Sequence, residues 1–222
     1  IIHLHWINNG TINIKKIGKI DKPVFWTIRD MWSFTGGCHY AFDCLKYTEG
    51  CNKCPLVTKN SWINITNCNN KLKSRIYKSV NLRLVSLSNW IRECAKQSNL
   101  LNSIENKVIP NPVDTTHFYP VDKFTARHIL NLPEKSKIIL VGSVKNDRYK
   151  GWKEFESSLD KVSKDTMIVT FGKEIKLASR SDKLIKNMGY LFDEVSLRLL
   201  YSSADVFVAP SIQEAFGKTV TE

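Results

Sequence analysis

The stretch Ala204-Asp-Val-Phe-Val-Ala-Pro-Ser-Ile-Gln-Glu-Ala-Phe-Gly-Lys-Thr-Val-Thr-Glu222 decides how this chain is read. Its first six residues are apolar and β-branched and predict a buried strand over 204–209. Gly217 then stands where the chain would turn into a helix beginning near Lys218. A strand-to-helix turn of this kind lies at the carboxyl edge of an open α/β sheet, where ligands bind. A helix start there offers free backbone N–H groups to a phosphate. Glu214 precedes the turn and Glu222 follows it, so the two carboxylates can address two parts of one ligand. The alternative for this stretch taken alone is a surface helix with ordinary acidic residues.

Working outward, strands are predicted near 1–6, 23–28, 82–87, 107–110, 137–142, 166–172 and 188–191, each short and rich in Val, Ile, Phe or Leu. Helical patterns fall at 69–79, 89–98, 122–131, 152–163 and 193–202. Strands alternating with helices of about ten residues imply parallel β-α units and an α/β fold. Pro110-Asn-Pro-Val-Asp-Thr-Thr-His-Phe-Tyr-Pro120 carries three prolines in eleven residues, which forbids a continuous helix. The domain boundary is therefore expected there, with domains at 1–120 and 121–222. The first residue, Ile1, lies in a predicted strand and the last, Glu222, in a predicted helix, so both domains are expected to be incomplete and the chain an internal fragment.

The 222 residues are 42% hydrophobic and 24% charged, a globular composition long enough for one large or two small cores. No apolar run approaches the ~20 residues of a membrane span, and no signal peptide opens the chain, so a cytoplasmic location is expected. Residues 1–120 hold 16 Lys/Arg against 7 Asp/Glu, a net of +9, while 121–222 hold 17 against 14, a net of +3. The basic excess of the first domain suits an anionic membrane surface, nucleic acid or a pyrophosphate-linked acceptor. A lysine-rich solvated surface is the plain alternative. Nucleic acid is disfavoured because Trp6, Trp26, Trp32, Trp62 and Trp90 do not alternate with basic residues and read as core and cleft walls.

Four of the six cysteines, Cys38, Cys44, Cys51 and Cys54, are spaced C-x5-C-x6-C-x2-C. Four thiolates this close could hold tetrahedral zinc and fix an irregular loop, although only one pair has the knuckle spacing. Reduced thiols packed in a loop and, further off, an iron–sulfur cluster are the alternatives. His39, beside Cys38, could replace one ligand. Cys68 and Cys94 stand apart and are expected to be buried apolar residues.

The segment Pro210–Glu222 resembles the Glu-x7-Glu motif of family-4 retaining glycosyltransferases. The stretches 3–6 (HLHW), 25–40 (FWTIRDMWSFTGGCHY), 108–120 (VIPNPVDTTHFYP) and 142–152 (VGSVKNDRYKGW) fit the same family in the same order. The tryptophan- and cysteine-rich stretch resembles the subgroup that builds bacterial surface polysaccharides, the colanic-acid type among them. The resemblance implies the GT-B architecture, two Rossmann-like domains with parallel sheets facing each other across a cleft. It implies transfer of a sugar from a UDP- or GDP-sugar to a polysaccharide or lipid-linked acceptor, with retention and without a catalytic metal. It also implies an enzyme working peripherally at the inner face of the plasma membrane.

By that resemblance Lys150 grips the departing diphosphate, Glu214 and Glu222 accept hydrogen bonds from donor-sugar and ribose hydroxyls, and Phe216, Gly217 and Lys218 cup the distal phosphate. Arg148 is a candidate to assist Lys150. Ser143 stands where many relatives carry a diphosphate-binding arginine. Arg29 stands where many carry a histidine near the reacting centre, and arginine cannot exchange protons near neutral pH. Asp30, His39 and His5 are the candidate acceptor contacts. The rival readings are a hydrolase using the two glutamates, a zinc-containing basic nucleic-acid- or membrane-binding module, and a relative that binds a nucleotide sugar without transferring it.

Overall fold

In the computed structural model, residues 1–57, 64–143, 148–172 and 184–222 are described, with the Ser143 side chain excepted. They form two compact units, Ile1–Asn111 and Pro112–Glu222, which divide at the front of the proline-rich stretch. Each unit contains one parallel four-stranded sheet.

The first unit holds β1 (Ile2–Leu4), β2 (Val24–Ile28), β3 (Leu82–Ser86) and β4 (Asn106–Val108) in the order β1-β2-β3-β4. Helices α1 (Ile14–Ile17), α2 (Ile65–Lys78) and α3 (Asn89–Gln97) connect them. Val24, Trp26 and Ile28 alternate into a core with Leu82, Leu84, Ile91 and Leu101. That is the period-2 pattern of a strand packed on a hydrophobic layer.

α2 begins four residues before its expected start at 69. Asn64 caps it by accepting the Asn67 N–H at 3.2 Å, whereas the run Thr66-Asn-Cys-Asn-Asn70 reads as turn-forming in sequence. These polar residues face inward because the long segment from 29 to 57 has no strand to satisfy its backbone. Thr66 Oγ1 donates to the Cys51 carbonyl at 2.8 Å, Asn67 Nδ2 to Gly50 at 2.9 Å and Asn69 Nδ2 to Gly36 at 3.1 Å. Lys73 donates to Trp32 and Thr35, and Tyr77 OH to Ser33 at 2.6 Å. One helix thus supplies the donors that a sheet neighbour would otherwise provide. Cys68 lies off this inward stripe and is exposed, not buried as expected.

The second unit holds α4 (Lys123–Ile129), β5 (Lys137–Ser143), α5 (Trp152–Ser158), β6 (Thr166–Gly172), β7 (Ile185–Asn187), α6 (Glu194–Ser203), β8 (Val206–Val208) and α7 (Lys218–Thr221). The sheet order is β7-β6-β5-β8, so the order reverses between β5 and β8. Ile138, Leu140, Val169 and Phe171 join Leu200 of α6 on one face. Val141 and Ile168 join Trp152 and Phe155 of α5 on the other. Both faces of this sheet are covered by helices, as a doubly wound fold requires.

The strand expected at 188–191 is instead β7, three residues earlier. Gly189 takes a left-handed φ of 68° and its N–H is bound by Asn187 Oδ1 at 2.6 Å, which turns the chain out of the sheet. β8 is shorter than the expected 204–209. It pairs only with β5 among the described residues, which leaves Val206 53% exposed rather than buried.

Arg127 and Asp205 tie this unit together, a pair the sequence reading did not single out. Arg127, 3% exposed, donates to the Ser203, Glu134 and Ser136 carbonyls and to Asp205 Oδ2 at 2.8 Å. Asp205 also accepts from Lys123 and from the Ile138 N–H at the start of β5. Burial works against its ionisation, but the hydrogen bonds from Lys123, Ile138 and Arg127 outweigh it and hold its carboxyl well below the usual range.

Candidate active site

The reversal in the second sheet places a crevice beyond the carboxyl ends of β5 and β8. A cavity of about 260 Å³ is found there. Gly142 ends the β5 wall, Phe171 and Gly172 the β6 wall, and Phe207 to Ser211 the β8 wall. Lys150, Tyr190 and Thr219 complete it.

Two loops build this wall by close approach. The loop after β5 makes a turn at Arg148–Lys150. The Tyr149 carbonyl accepts from the Ile212 N–H at 2.7 Å. Gly151 is left-handed, at φ 64°, and a Cβ there would stand 1.8 Å from the Pro210 carbonyl oxygen. Only glycine permits both the conformation and the contact. The same turn brings Lys150 Nζ to 2.6 Å from Glu214 Oε2, with both side chains about one-third exposed. Ser211 Oγ lies 3.4 Å from the same oxygen. Lys145, Asn146 and Asp147, in the motif preceding Lys150, lie outside the described residues, as does the Ser143 side chain.

Gly217, at φ 77°, opens α7, and Thr219 of that helix reaches the cavity wall. Helix N-terminal N–H groups lack intrahelical acceptors, but Phe216, Gly217 and Lys218 themselves are not among the residues that line the cavity. Glu222 is not a lining residue. Its carboxylate, 5% exposed, is held by Lys218 at 2.7 Å and by Tyr201 OH at 3.2 Å. Burial and the neighbouring Glu222 raise the Tyr201 pKa, so the phenol remains a donor. Tyr201, Tyr190, Phe171 and Ser211 were missed by sequence reading. Lone aromatic and hydroxyl residues carry no spacing signal, and the sheet order alone brings them together.

In the first unit, candidate residues gather at the carboxyl ends of β1 and β2. Asp30 Oδ1 accepts from the Trp32 N–H at 2.9 Å and thereby caps a short 3-10 turn, Met31–Phe34. Its Oδ2 accepts from Trp6 Nε1 at 3.1 Å and from His39 Nδ1 at 2.7 Å. A carboxylate can only accept, so His39 carries a proton on Nδ1 and its Nε2 is left facing away from Asp30. Arg29 is exposed and lies 3.4 Å from His5 Nδ1. Burial, His3 and Arg29 together lower the His5 pKa. Trp26 is buried as expected, but Trp6 is 45% and Trp90 37% exposed. Trp62 lies outside the described residues.

Cys38, Cys44, Cys51 and Cys54 line one small cavity with Gly36, Tyr47 and others. Cys38 and Cys54 are hydrogen-bonded side chain to side chain, and burial with the neighbouring sulfurs pushes the Cys38 thiol up to about 11. Burial also raises Cys51, although the Gly36 N–H donates to its Sγ at 3.0 Å and opposes the shift. Among the described residues no three His, Cys, Asp or Glu side chains stand as a preformed metal-ligand array. His39 is committed to Asp30 and does not line the cysteine cavity, so it is not placed to substitute for a sulfur.

No helix among the described residues is long and apolar enough to cross a membrane. Residues 135–222 match the family described as Glycosyl transferases group 1. A putative colanic acid biosynthesis glycosyl transferase, WcaC, of Escherichia coli strain K12 is 31% identical over 66 residues, covering 26% of this chain and 16% of that protein. Sucrose-phosphate synthase from Thermosynechococcus elongatus superposes with a TM-score of 0.63 at 19% identity, over 97% of this chain and 51% of that one. HepE from Anabaena, in a crystal structure with UDP and glucose, gives 0.60 at 13% identity, over 90% and 49%. The chain thus spans about half the length of the solved structures it matches. At these identities the structural matches bear on fold alone, and with the sheet orders above they give the fold of the whole chain. This chain has the GT-B fold, and over residues 135–222 it is similar to the group 1 glycosyl transferases.

Proposed function

We propose that this chain is the core of a retaining glycosyltransferase that takes a UDP- or GDP-sugar in the second unit's cavity. It passes the sugar to a lipid-linked or oligosaccharide acceptor during surface-polysaccharide synthesis. The observation that carries this reading is the cavity at the sheet's reversal, with Lys150 in its wall. Breaking a glycosidic bond to a diphosphate builds negative charge on the leaving group, and a fixed cation there is stabilising in the transition state. Lys150 supplies that cation, with Arg148 beside it and the N–H groups of Phe216, Gly217 and Lys218 on the distal phosphate. Neutralisation by these groups requires no metal.

Glu214 holds Lys150 in place at 2.6 Å before the donor arrives and then accepts hydrogen bonds from the sugar. Glu222, oriented by Tyr201 and Lys218, takes the ribose hydroxyls, and Ser143 ends the strand that supports the diphosphate. HepE, whose solved structure holds UDP and glucose, lends support for the nucleotide-sugar class, and WcaC for a role in surface polysaccharide.

The first domain, residues 1–120, holds the acceptor. His39 is oriented by Asp30, so that its Nε2 receives an acceptor hydroxyl, while Arg29 and His5 bind the acceptor's charged or polar groups. The leaving phosphate itself takes the acceptor proton, so arginine in place of a histidine at 29 is compatible with turnover. The basic excess of residues 1–120 fits an enzyme resting on the anionic inner face of the plasma membrane.

Calorimetric titration of the full reading frame with UDP- and GDP-sugars tests the reading, alongside Lys150→Ala and Glu222→Ala. Binding of one nucleotide class that is lost in both variants is expected. Folded protein that binds no nucleotide sugar yet retains RNA, DNA or anionic vesicles would overturn it.

A further inference from the structure

The segment 36–57 is out of proportion to the rest of the first unit. It contains no strand, yet it is held by donors from α2 and turns on three positive-φ residues within four positions: Gly50 at φ 99°, Cys51 at φ 54° and Lys53 at φ 49°. Non-glycine residues adopt this conformation at a cost, and two within three positions need a compensating interaction. They lie on the knuckle Cys51-Asn-Lys-Cys54. Knuckle and preceding loop fold the four sulfurs around a single cavity of about 20 Å³, room for one guest the size of a water molecule. Gly36 packs so tightly against this knuckle that a Cβ would stand 2.9 Å from that of Cys51, and its N–H donates to the Cys51 sulfur at 3.0 Å. A backbone N–H aimed at sulfur is the kind of outer contact that stabilises a thiolate.

An independent observation points to negative charge at this place. Lys73 is 3% exposed and forms no ion pair among the described residues. Its ammonium donates to two carbonyls, Trp32 and Thr35, and sits 3.6 Å over the Trp32 ring. A buried cation without a counter-charge is costly. Asp30 is the carboxylate that acts on it, and a dication held by four thiolates, carrying a net charge of −2, would add to that. Lys46, unlike Lys73, lines the cavity itself and is a second cation near the sulfurs.

We propose that Cys38, Cys44, Cys51 and Cys54 bind one zinc ion as a structural tetrathiolate site that locks the 36–57 loop, with Lys73 and Lys46 balancing its charge. Binding exchanges four S–H protons for four Zn–S bonds of about 2.3 Å, with no redox step. The site belongs to the first unit and the proposed donor pocket to the second, so it stands or falls independently of the transferase reading.

The test is metal content and cobalt substitution in the full chain, purified under reducing conditions. Elemental analysis should find one zinc per chain. After stripping, titration with cobalt(II) chloride should saturate at one equivalent, giving the visible bands of tetrahedral cobalt and a near-ultraviolet sulfur-to-metal charge-transfer band, both erased by zinc chloride. Cys54→Ser should lose the charge-transfer intensity and weaken zinc at least tenfold, whereas Cys68→Ser, outside the cavity, should leave both unchanged. Folded wild-type chain with six titratable thiols and no cobalt bands would overturn the proposal without recourse to any variant. Visible absorption with acid-labile sulfide would overturn it in favour of an iron–sulfur cluster.

Discussion

The two sheets have the same strand number and direction but opposite ways of making a site. In the second unit the order β7-β6-β5-β8 reverses, and the reversal by itself opens a crevice whose walls are strand ends. In the first unit the order runs β1 to β4 without reversal, and the residues of interest sit on an irregular segment pinned by α2 and by Asp30. Topology locates one site, and side-chain-to-backbone bonds locate the other. The first kind tolerates sequence change in its walls so long as the loops can approach. The second depends on individual polar residues.

Gly151→Ala should produce the largest effect. A methyl group 1.8 Å from the Pro210 oxygen, at a left-handed position, forces the two loops apart. We expect a loss of more than about 4 kcal/mol in the second unit. Hydrogen exchange should rise across β5 and β8 and stay unchanged across β2 and β3. Equal loosening of both sheets would break the comparison, because the site would then not be local to one topology.

Lys150→Ala should lower kcat/KM for the donor by about 10²- to 10³-fold, as removal of one charge-stabilising donor does elsewhere. Circular dichroism should be unchanged, since the side chain is about one-third exposed. A variant with wild-type turnover would remove Lys150 from the chemistry.

Asp205→Ala should cost about 3 kcal/mol, because it leaves Arg127 charged and buried without its carboxylate. The Asp205 carboxyl is held below its unfolded value. Its contribution is therefore complete above that value, near pH 4, and is lost as pH falls through the folded-state pKa. Denaturant midpoints of wild type and Asp205→Ala should accordingly converge as the solution is acidified below about pH 4. A gap that stays constant through that range would show that the residue acts by packing alone.

The smallest expected change is in the first unit. His39→Asn keeps a donor toward Asp30 in the place of Nδ1 but loses Nε2. It should raise the acceptor KM by about tenfold or less, the worth of one neutral hydrogen bond, with donor binding untouched. A change in donor affinity instead would break the division of labour between the units.

Much of the fold was legible because short β-branched runs alternate with helical patterns, and β6 matches its expected span of 166–172. The misses share one cause. α2 was read late, β7 was displaced and Cys68 was read as buried because local composition was weighed without the partner that overrides it. In α2 the partner is a loop backbone in need of donors, in β7 a left-handed glycine, and for Cys68 the inward stripe it misses. At the site, Lys150, Glu214 and Gly217 carried a motif, whereas Tyr201 and Tyr190 carried none.

The sequence by itself determined the class of the fold, the strand-to-helix turn with its two glutamates, and the clustering of four cysteines, because periodicity and spacing are local properties. Only the tertiary structure decided which sheet reverses, that Gly151 must pass beneath Pro210, that Asp30 orients His39, and that Lys73 lies buried near the cysteine loop without a paired carboxylate. Each of those depends on atoms 9 to 67 residues apart in sequence, and contacts at that range are set by packing and hydrogen-bond satisfaction across the whole unit.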